Sequence, residues 1–307
     1  MHDSSRKMGN NVLRLGAPVT LSTPLLTRNV IWSGSEADDP RELARAHRRM
    51  GFRAAYCPQV ELTDKERIAS IVRAYQAEDV VIAEVQAFSN TRSSDPDERK
   101  RSLDFSCHQL ALADELGARC CVNTAGWIGN DPKNRIHADN LSQAGFEQIV
   151  EATRYIVDSV KPKRAKYTLE TMPWIIPDGP EVYVDLIKAV DRPGFAAHFD
   201  PTNMINSPRR YIENAKFLEE CFAKLGPWIV SCHVKDIRLS GEFNVHLTES
   251  RVGTGVLDYR TYLRGVASLP QNPTLMLEHL DTAEEYVVAR DHLRAVAQDA
   301  GVSFLGI

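Results

Sequence analysis

The sequence predicts an α/β fold, a single (β/α)8 TIM barrel, and three observations carry that expectation. Eight strand-like segments alternate with helical segments along the 307 residues, which demands parallel strands joined by helical crossovers. The spacing of these units is even, and their number suits a closed barrel of this length. Finally, the last four strands share one pattern: an apolar face, and an opposite face that turns polar at the C-terminal end. A doubly wound open sheet is the competitor. It is weakened because no strand is followed by G-x-G-x-x-G, and neither a Walker loop nor a composition shift marks a second domain.

In chain order, residues 1–11 form a polar N-terminal extension and residues 12–307 the barrel domain. Val12–Ala17 reads as the first strand, followed by a loop with Pro18, Pro24 and Asn29. Asp39-Pro40 opens a helix that runs to about Met50 and stops at Gly51, with Asp as cap and Pro in the first turn. Ala54–Tyr56 is the second strand. Thr63-Asp-Lys-Glu66 has the form of a capping box, continued by Ile68, Ile71, Val72 and Tyr75 at helical spacing. Val80–Glu84 is the third strand, and a helix from Asp95-Pro96 ends at Gly117. Cys120–Asn123 is the fourth strand; a polar loop with Asn130, Asp131 and Pro132 leads to a helix over about Ser142–Val160. Further helices are predicted near 180–190, 209–225, 259–268 and 282–300, between and after the four remaining strands.

Those strands are Lys166–Glu170, Ala196–Asp200, Val230–Asp236 and Thr274–Glu278. Residues two apart on a strand point the same way. Thr168 and Glu170 therefore share a face, as do His198 and Asp200, Ser231, His233 and Lys235, and Met276 and Glu278. The opposite face is wholly apolar: Tyr167, Leu169, Ala197, Phe199, Val230, Cys232, Val234, Leu275 and Leu277. A barrel strand needs such an outer face under its helices, and its inner face turns polar at the C-terminal mouth where a site sits. Glu170, Asp200, His233 and Glu278 would then meet there. Three carboxylates together without counter-charge would cost several kcal/mol through burial and repulsion. Lys235 offers a partial counter-charge; a divalent cation removes the cost.

Composition excludes other classes. A net charge of -4 and a pI near 6.2 give no electrostatic footprint for nucleic acid or an anionic membrane. The first eleven residues lack an apolar signal core and no window approaches a membrane span, so a soluble, cytoplasmic protein is expected. Six cysteines without C-x-x-C spacing read as buried thiols in a reducing compartment.

The motifs Leu169-Glu170, Phe199-Asp200-Pro-Thr-Asn203, Cys232-His233-Val-Lys-Asp236, Val252–Tyr259 and Leu277-Glu278 resemble the xylose isomerase-like TIM-barrel superfamily, the sugar-phosphate isomerase/epimerase group, over about Val12–Ala300. In the ketose 3-epimerase branch, the residues matching Glu170, Asp200, His233 and Glu278 bind one divalent cation, and the two glutamates also move protons. The resemblance thus implies Glu170 and Glu278 as catalytic residues. Oxygen ligands with one imidazole suit Mn or Mg, with Zn and Co also compatible. A cation chelating the carbonyl would stabilise the enolate formed when a neighbouring carbon loses its proton. Proton removal by one glutamate and return by the other inverts a centre; return by the same base isomerises.

Around this centre, His198, Asn203, Lys235, Arg238, Trp174 and Asn123 are expected to bind substrate, with Trp127 a further candidate wall of the pocket. Asp236 is expected to orient a ligand from behind. Asn203, Ile176 and Leu239 stand where the epimerase branch has a histidine, an acid and an arginine, so the metal centre transfers further than the substrate does. Gly253-Thr-Gly255 reads as a loop turn in preference to a phosphate cradle. The expected partner is a small sugar or sugar derivative, not nucleic acid or membrane, and a homo-oligomer or a partner subunit is compatible with the reading. Three rivals follow: a metal-dependent lyase that expels the aglycone from a 3-keto glycoside, a phosphodiesterase of the AP endonuclease type, and a non-catalytic sugar-binding barrel.

Overall fold

The computed structural model describes residues 12–21, 32–128 and 136–306. The polar first eleven residues, Pro24 and Asn29 of the first loop, and Asn130, Asp131 and Pro132 lie outside the described residues. The elements run β1 (Val12–Gly16), α1 (Pro40–Arg49), β2 (Ala54–Tyr56), α2 (Lys65–Ala77), β3 (Val81–Gln86), α3 (Pro96–Leu116), β4 (Cys120–Asn123), α4 (Gln143–Val160), β5 (Lys166–Glu170), α5 (Pro180–Val190) and β6 (Phe195–Phe199). They continue with α6 (Pro201–Met204), α7 (Pro208–Ile212), α8 (Asn214–Leu225), β7 (Ile229–Val234), β8 (Asp236–Leu239), β9 (Leu247–Ser250), α9 (Tyr259–Ala267), β10 (Thr274–Leu277), α10 (Ala283–Ala300) and β11 (Ser303–Phe304).

Strands β1 to β7 and β10 pair in parallel, each with its neighbour, and β10 returns to β1 through Arg14↔Thr274, Leu15↔Leu275 and Gly16↔Met276. The eight-stranded barrel is therefore closed. Short β11 adds in parallel to β1. Closure is tight at Gly16: a Cβ there would lie 2.5 Å from Met276 Sδ and 2.6 Å from the Ala54 carbonyl, so only glycine fits. Met276 packs inside the barrel with Ala54, Tyr56 and Ala83, whereas Tyr167, Leu169, Ala197, Phe199, Cys232, Val234, Leu275 and Leu277 belong to the larger core under the helices.

The helix starts follow their capping residues. Asp39, Asp95, Ser142 and Thr282 each accept a backbone N–H from the first turn. In α2 the cap is Asp64, not Thr63, because the Asp64 carboxylate takes the Arg67 N–H at 2.9 Å. The single helix expected over 209–225 is broken. Ser207 caps a separate α7, and Glu213 leaves helical geometry (φ -99°, ψ 31°) before α8 begins. The Asn214 side chain instead ties this corner to the Val256 carbonyl and the Asp258 N–H.

Strands β6, β7 and β10 stop one or two residues earlier than their polar pattern suggested. Asp200, Lys235 and Glu278 consequently stand just beyond the ladder, on the rim of the mouth. Asp236 opens an antiparallel hairpin, β8 with β9, that forms a two-stranded sheet of its own. No described helix is long and apolar enough to cross a membrane.

One buried group away from the mouth makes the fold acid-sensitive. His47 of α1 is fully buried, with Nδ1 donating to the Leu43 carbonyl and Nε2 accepting from Ser33 Oγ. Burial lowers its pKa from 6.5 to about 4, so the folded protein holds the neutral ring. Its contribution is complete above pH 6.5 and is lost as pH falls from there towards pH 4. Denaturant unfolding across that window should show a loss of up to about 3 kcal/mol that disappears in His47→Gln. Equal pH dependence in the two proteins would contradict the assignment.

Candidate metal centre and active site

Five strands deliver the site. The β5, β6, β7 and β10 ends bring Glu170, Asp200, His233 and Glu278 together, with one ligand atom from each lying within 4.8 Å of the others. All four are buried. His233 Nδ1 lies 3.0 Å from Glu170 Oε1, 3.0 Å from Glu278 Oε1 and 3.7 Å from Asp200 Oδ2. The fifth strand, β3, supplies Glu84 beneath them. Its carboxylate meets His233 Nε2 at 3.3 Å, His198 Nε2 at 2.9 Å and Ser231 Oγ at 2.6 Å.

Local structure fixes each atom. Asp200 caps the short α6, its Oδ1 accepting the Asn203 N–H at 3.2 Å, which leaves Oδ2 free to face the centre. Pro201 at the first helical position suits that turn. The same turn aims Asn203, whose amide donates to Glu170 Oε1 at 3.3 Å and to the Thr171 carbonyl at 3.1 Å. Buried tyrosines brace the strand ends from the helix layer and neighbouring strands. Tyr183 bonds the backbone of Leu169 and His198, Tyr262 the His233 carbonyl, Tyr259 the Lys235 carbonyl and Tyr56 the Leu277 carbonyl.

The electrostatics are those of a crowded acidic site. Burial opposes ionisation of Asp200, but Lys235 and His233 overcome it and hold the carboxyl well below its usual range. Glu278 is likewise lowered to about 2 against burial, by His233 and Lys235. Glu170 goes the other way: burial, with the negative charge of Glu278, raises it despite His233. Glu84 is held ionised because the two imidazoles outweigh its desolvation. Conversely, the carboxylates of Glu278, Glu84 and Glu170 raise His233 well above an ordinary histidine, and Asp200, Glu278 and Glu249 raise Lys235, both against burial.

These residues fit a divalent cation. Three carboxylates and one imidazole are a hard, oxygen-rich donor set. Asp200 Oδ2 and Glu278 Oε1 are buried without an aligned hydrogen bond, although Lys235 Nζ lies 2.8 and 2.6 Å away. Positive charge from Lys235 is what the cluster draws on in this structure, and a divalent cation would supply more of it among the same carboxylates. Glu84 behind His233 Nε2 completes the carboxylate–histidine pattern that points the other ring nitrogen at a metal.

Above the cluster opens a cavity of about 460 Å³ lined by Phe88, Ser89, Thr124, Trp127, Glu170, Met172, Asn203, Lys235, Glu249, Glu278 and His279. A larger one, about 600 Å³, lies between the loop after β2 and α3, and none of the clustered ligands lines it.

Among the residues expected to bind substrate, Asn203 and Lys235 do line the cavity, as does Trp127. The structure places the others elsewhere. His198 is completely buried below the mouth, locked to Glu84 and edge-on to the His233 ring. Asn123 is buried and faces the helix layer, its amide tied to Ser89, Ser106 and Tyr167. Trp174 is exposed and Arg238 lies on the exposed part of β8; neither lines the cavity. Asp236 does not touch a ligand. Its two oxygens collect the N–H groups of Ile237, Gly253, Gly255 and Leu257 and so pin the loop after β9. The Gly253-Thr-Gly255 turn is thus filled by an internal carboxylate, and a Cβ at Gly255 would lie 2.3 Å from Asp236 Oδ1.

Three contributors, Glu84, Glu249 and His279, were not among the expected site residues. Glu84 had a signal, since it ends the third strand on the same inward pattern as Glu170. Glu249 and His279 had none. Glu249 comes from the unforeseen hairpin, and His279 from a residue at φ 57° that bonds Glu249 through Nδ1 at 3.0 Å.

The family model for the xylose isomerase-like TIM barrel matches residues 43–296, and the chain belongs to that family. Among solved structures it resembles a xylose isomerase-like TIM barrel protein from Mycobacterium smegmatis in complex with magnesium (17% identity, TM-score 0.66, covering 95% of this chain and 98% of that one). It also resembles 3-keto-D-glucoside 4-epimerase from E. coli (14%, 0.64, 92% and 99%) and endonuclease IV from Thermus thermophilus (13%, 0.66, 93% and 99%). At these identities the likeness establishes the fold. No curated protein matches the sequence.

If Glu84 orients His233, replacing it should weaken the centre without touching a ligand. Glu84→Gln is expected to lower Mn affinity by about 10–100-fold in calorimetric titration. Unchanged affinity would show that the carboxylate only fills the barrel floor.

Proposed function

We propose that this chain is a divalent-metal-dependent enzyme that abstracts a proton next to a carbonyl in a ketose or keto sugar, as an epimerase or isomerase. The observation that carries this reading is the placement of two carboxylates, Glu170 and Glu278, from strands on either side of β6 and β7, both on the cavity wall and both 3.0 Å from one imidazole nitrogen.

Glu170, Asp200, His233 and Glu278 would hold the cation; Mn or Mg suits the donors best, with Zn or Co also compatible. When bound, it supplies positive charge against the oxyanion that develops as the carbon acid ionises. The protein does the rest. One glutamate takes the C–H proton, and the other gives a proton to the opposite face, which inverts the centre; exchange with solvent restores both groups. Return of the proton by the first glutamate to the neighbouring carbon moves the carbonyl instead. Asn203, bonded to Glu170 Oε1, fixes that carboxylate's orientation. Trp127, Phe88 and Met172 supply apolar wall, and Lys235, Glu249 and His279 supply polar contacts for hydroxyl groups.

The alternative outcome is elimination, in which the same carbanion expels an aglycone from C–O; the likeness to a 3-keto-D-glucoside 4-epimerase supports 3-keto glycosides as the substrates on which to compare the two. Assay on a 3-keto glucoside separates them: an epimerase returns the intact glycoside, a lyase releases the aglycone. The cavity size supports a small-molecule sugar partner.

In heavy water with Mn, ketoses or 3-keto sugars should take up deuterium at a carbonyl-adjacent carbon. Glu170→Gln and Glu278→Gln should each slow that uptake by about 10²–10⁴-fold. Exchange that survives both substitutions would rule out the glutamate assignment.

A further inference from the structure

We propose that Lys235 is a built-in counter-ion, holding the ligand oxygens until the divalent cation displaces it towards Glu249, and thereby setting how tightly the centre binds metal. This rests on the metal-centre reading above. Lys235 Nζ lies 2.8 Å from Asp200 Oδ2 and 2.6 Å from Glu278 Oε1. Those are the same two oxygens that approach His233 Nδ1 at 3.7 and 3.0 Å. A cation ligated by them would stand at about 2.0–2.6 Å, on ground the ammonium now faces. In a buried site two positive charges that close repel strongly. Ammonium and cation therefore exclude one another from these oxygens.

The ammonium is placed to leave. Its contacts to the two oxygens, at 2.8 and 2.6 Å, are of the same kind as the one Glu249 offers. Glu249 Oε2 is already 3.3 Å from Nζ, on the β9 side of the cavity, and His279 holds that carboxylate in position. The Lys235 carbonyl is fixed by Thr202 Oγ1 and Tyr259 OH, so the side chain can turn without the strand end moving. After the handover the ammonium would remain on the cavity wall, beside a bound sugar.

The test uses the full chain, purified with Mn and then stripped with EDTA. Mn affinity is measured by calorimetry at one pH for wild type, Lys235→Met and Lys235→Gln, with thermal melts of stripped and Mn-loaded protein. Both variants should bind Mn at least about tenfold more tightly, and both should melt lower than wild type when stripped but near it when loaded. Glu249→Gln should weaken Mn binding about threefold or more with Lys235 present and less in the Lys235→Gln background. If Lys235→Met does not survive stripping, Lys235→Gln, which keeps a polar contact, carries the comparison. Equal or weaker Mn affinity in the lysine variants overturns this inference alone. Failure of every protein, wild type included, to bind Mn overturns the metal centre and the inference together.

Discussion

His233 Nδ1 sits 3.0 Å from an oxygen of Glu170 and 3.0 Å from an oxygen of Glu278, with Asp200 at 3.7 Å and Glu84 behind the other nitrogen. Four buried carboxylates around one ring are tolerable only if positive charge is shared among them. The neighbouring architecture follows from that constraint. Parallel strands bring their C-terminal ends to one rim, and a closed barrel puts β3 and β10 close enough for Glu84 and Glu278 to share an imidazole.

The supports around the cluster are matched to the same requirement. Two ligands are held by bonds that leave the atom facing the centre free, Asp200 by capping α6 through Oδ1 and His233 through Nε2 to Glu84, while the Asn203 amide holds Glu170 at Oε1 itself. Tyrosine hydroxyls secure the carbonyls of Leu169, His233, Lys235 and Leu277, so the strand ends hold position where the ladder stops. Asp236 locks the loop that follows the hairpin. The two glutamates sit in unlike surroundings: burial and the charge of Glu278 raise Glu170, whereas His233 and Lys235 lower Glu278 despite its burial.

Much of this was legible in the residues, because alternation along a strand is a strict rule. Tyr167 and Leu169 against Thr168 and Glu170, or Ala197 and Phe199 against His198 and Asp200, declare two faces, and the helix layer leaves only one polar side to share. Depth along the barrel axis is not written the same way. His198 and Asp200 share a face, yet one level down His198 meets Glu84 and sees no cavity. Asn123 ends its strand facing outward and serves the helix layer through Tyr167 and Ser106. The β8–β9 hairpin was invisible because the strand was expected to end at Asp236 and nothing in residues 237–250 marked a second pair of strands. The hairpin is what places Glu249 on the cavity wall and Arg238 on an exposed part of β8.

The central claim is that these side chains form one cation site at the barrel mouth. Crystals soaked in Mn and measured at the manganese absorption edge test it most directly. The account predicts a single anomalous peak per chain within bonding distance of Glu170, Asp200, His233 Nδ1 and Glu278. No peak there, or a peak held instead by Glu84 and His198, would contradict it.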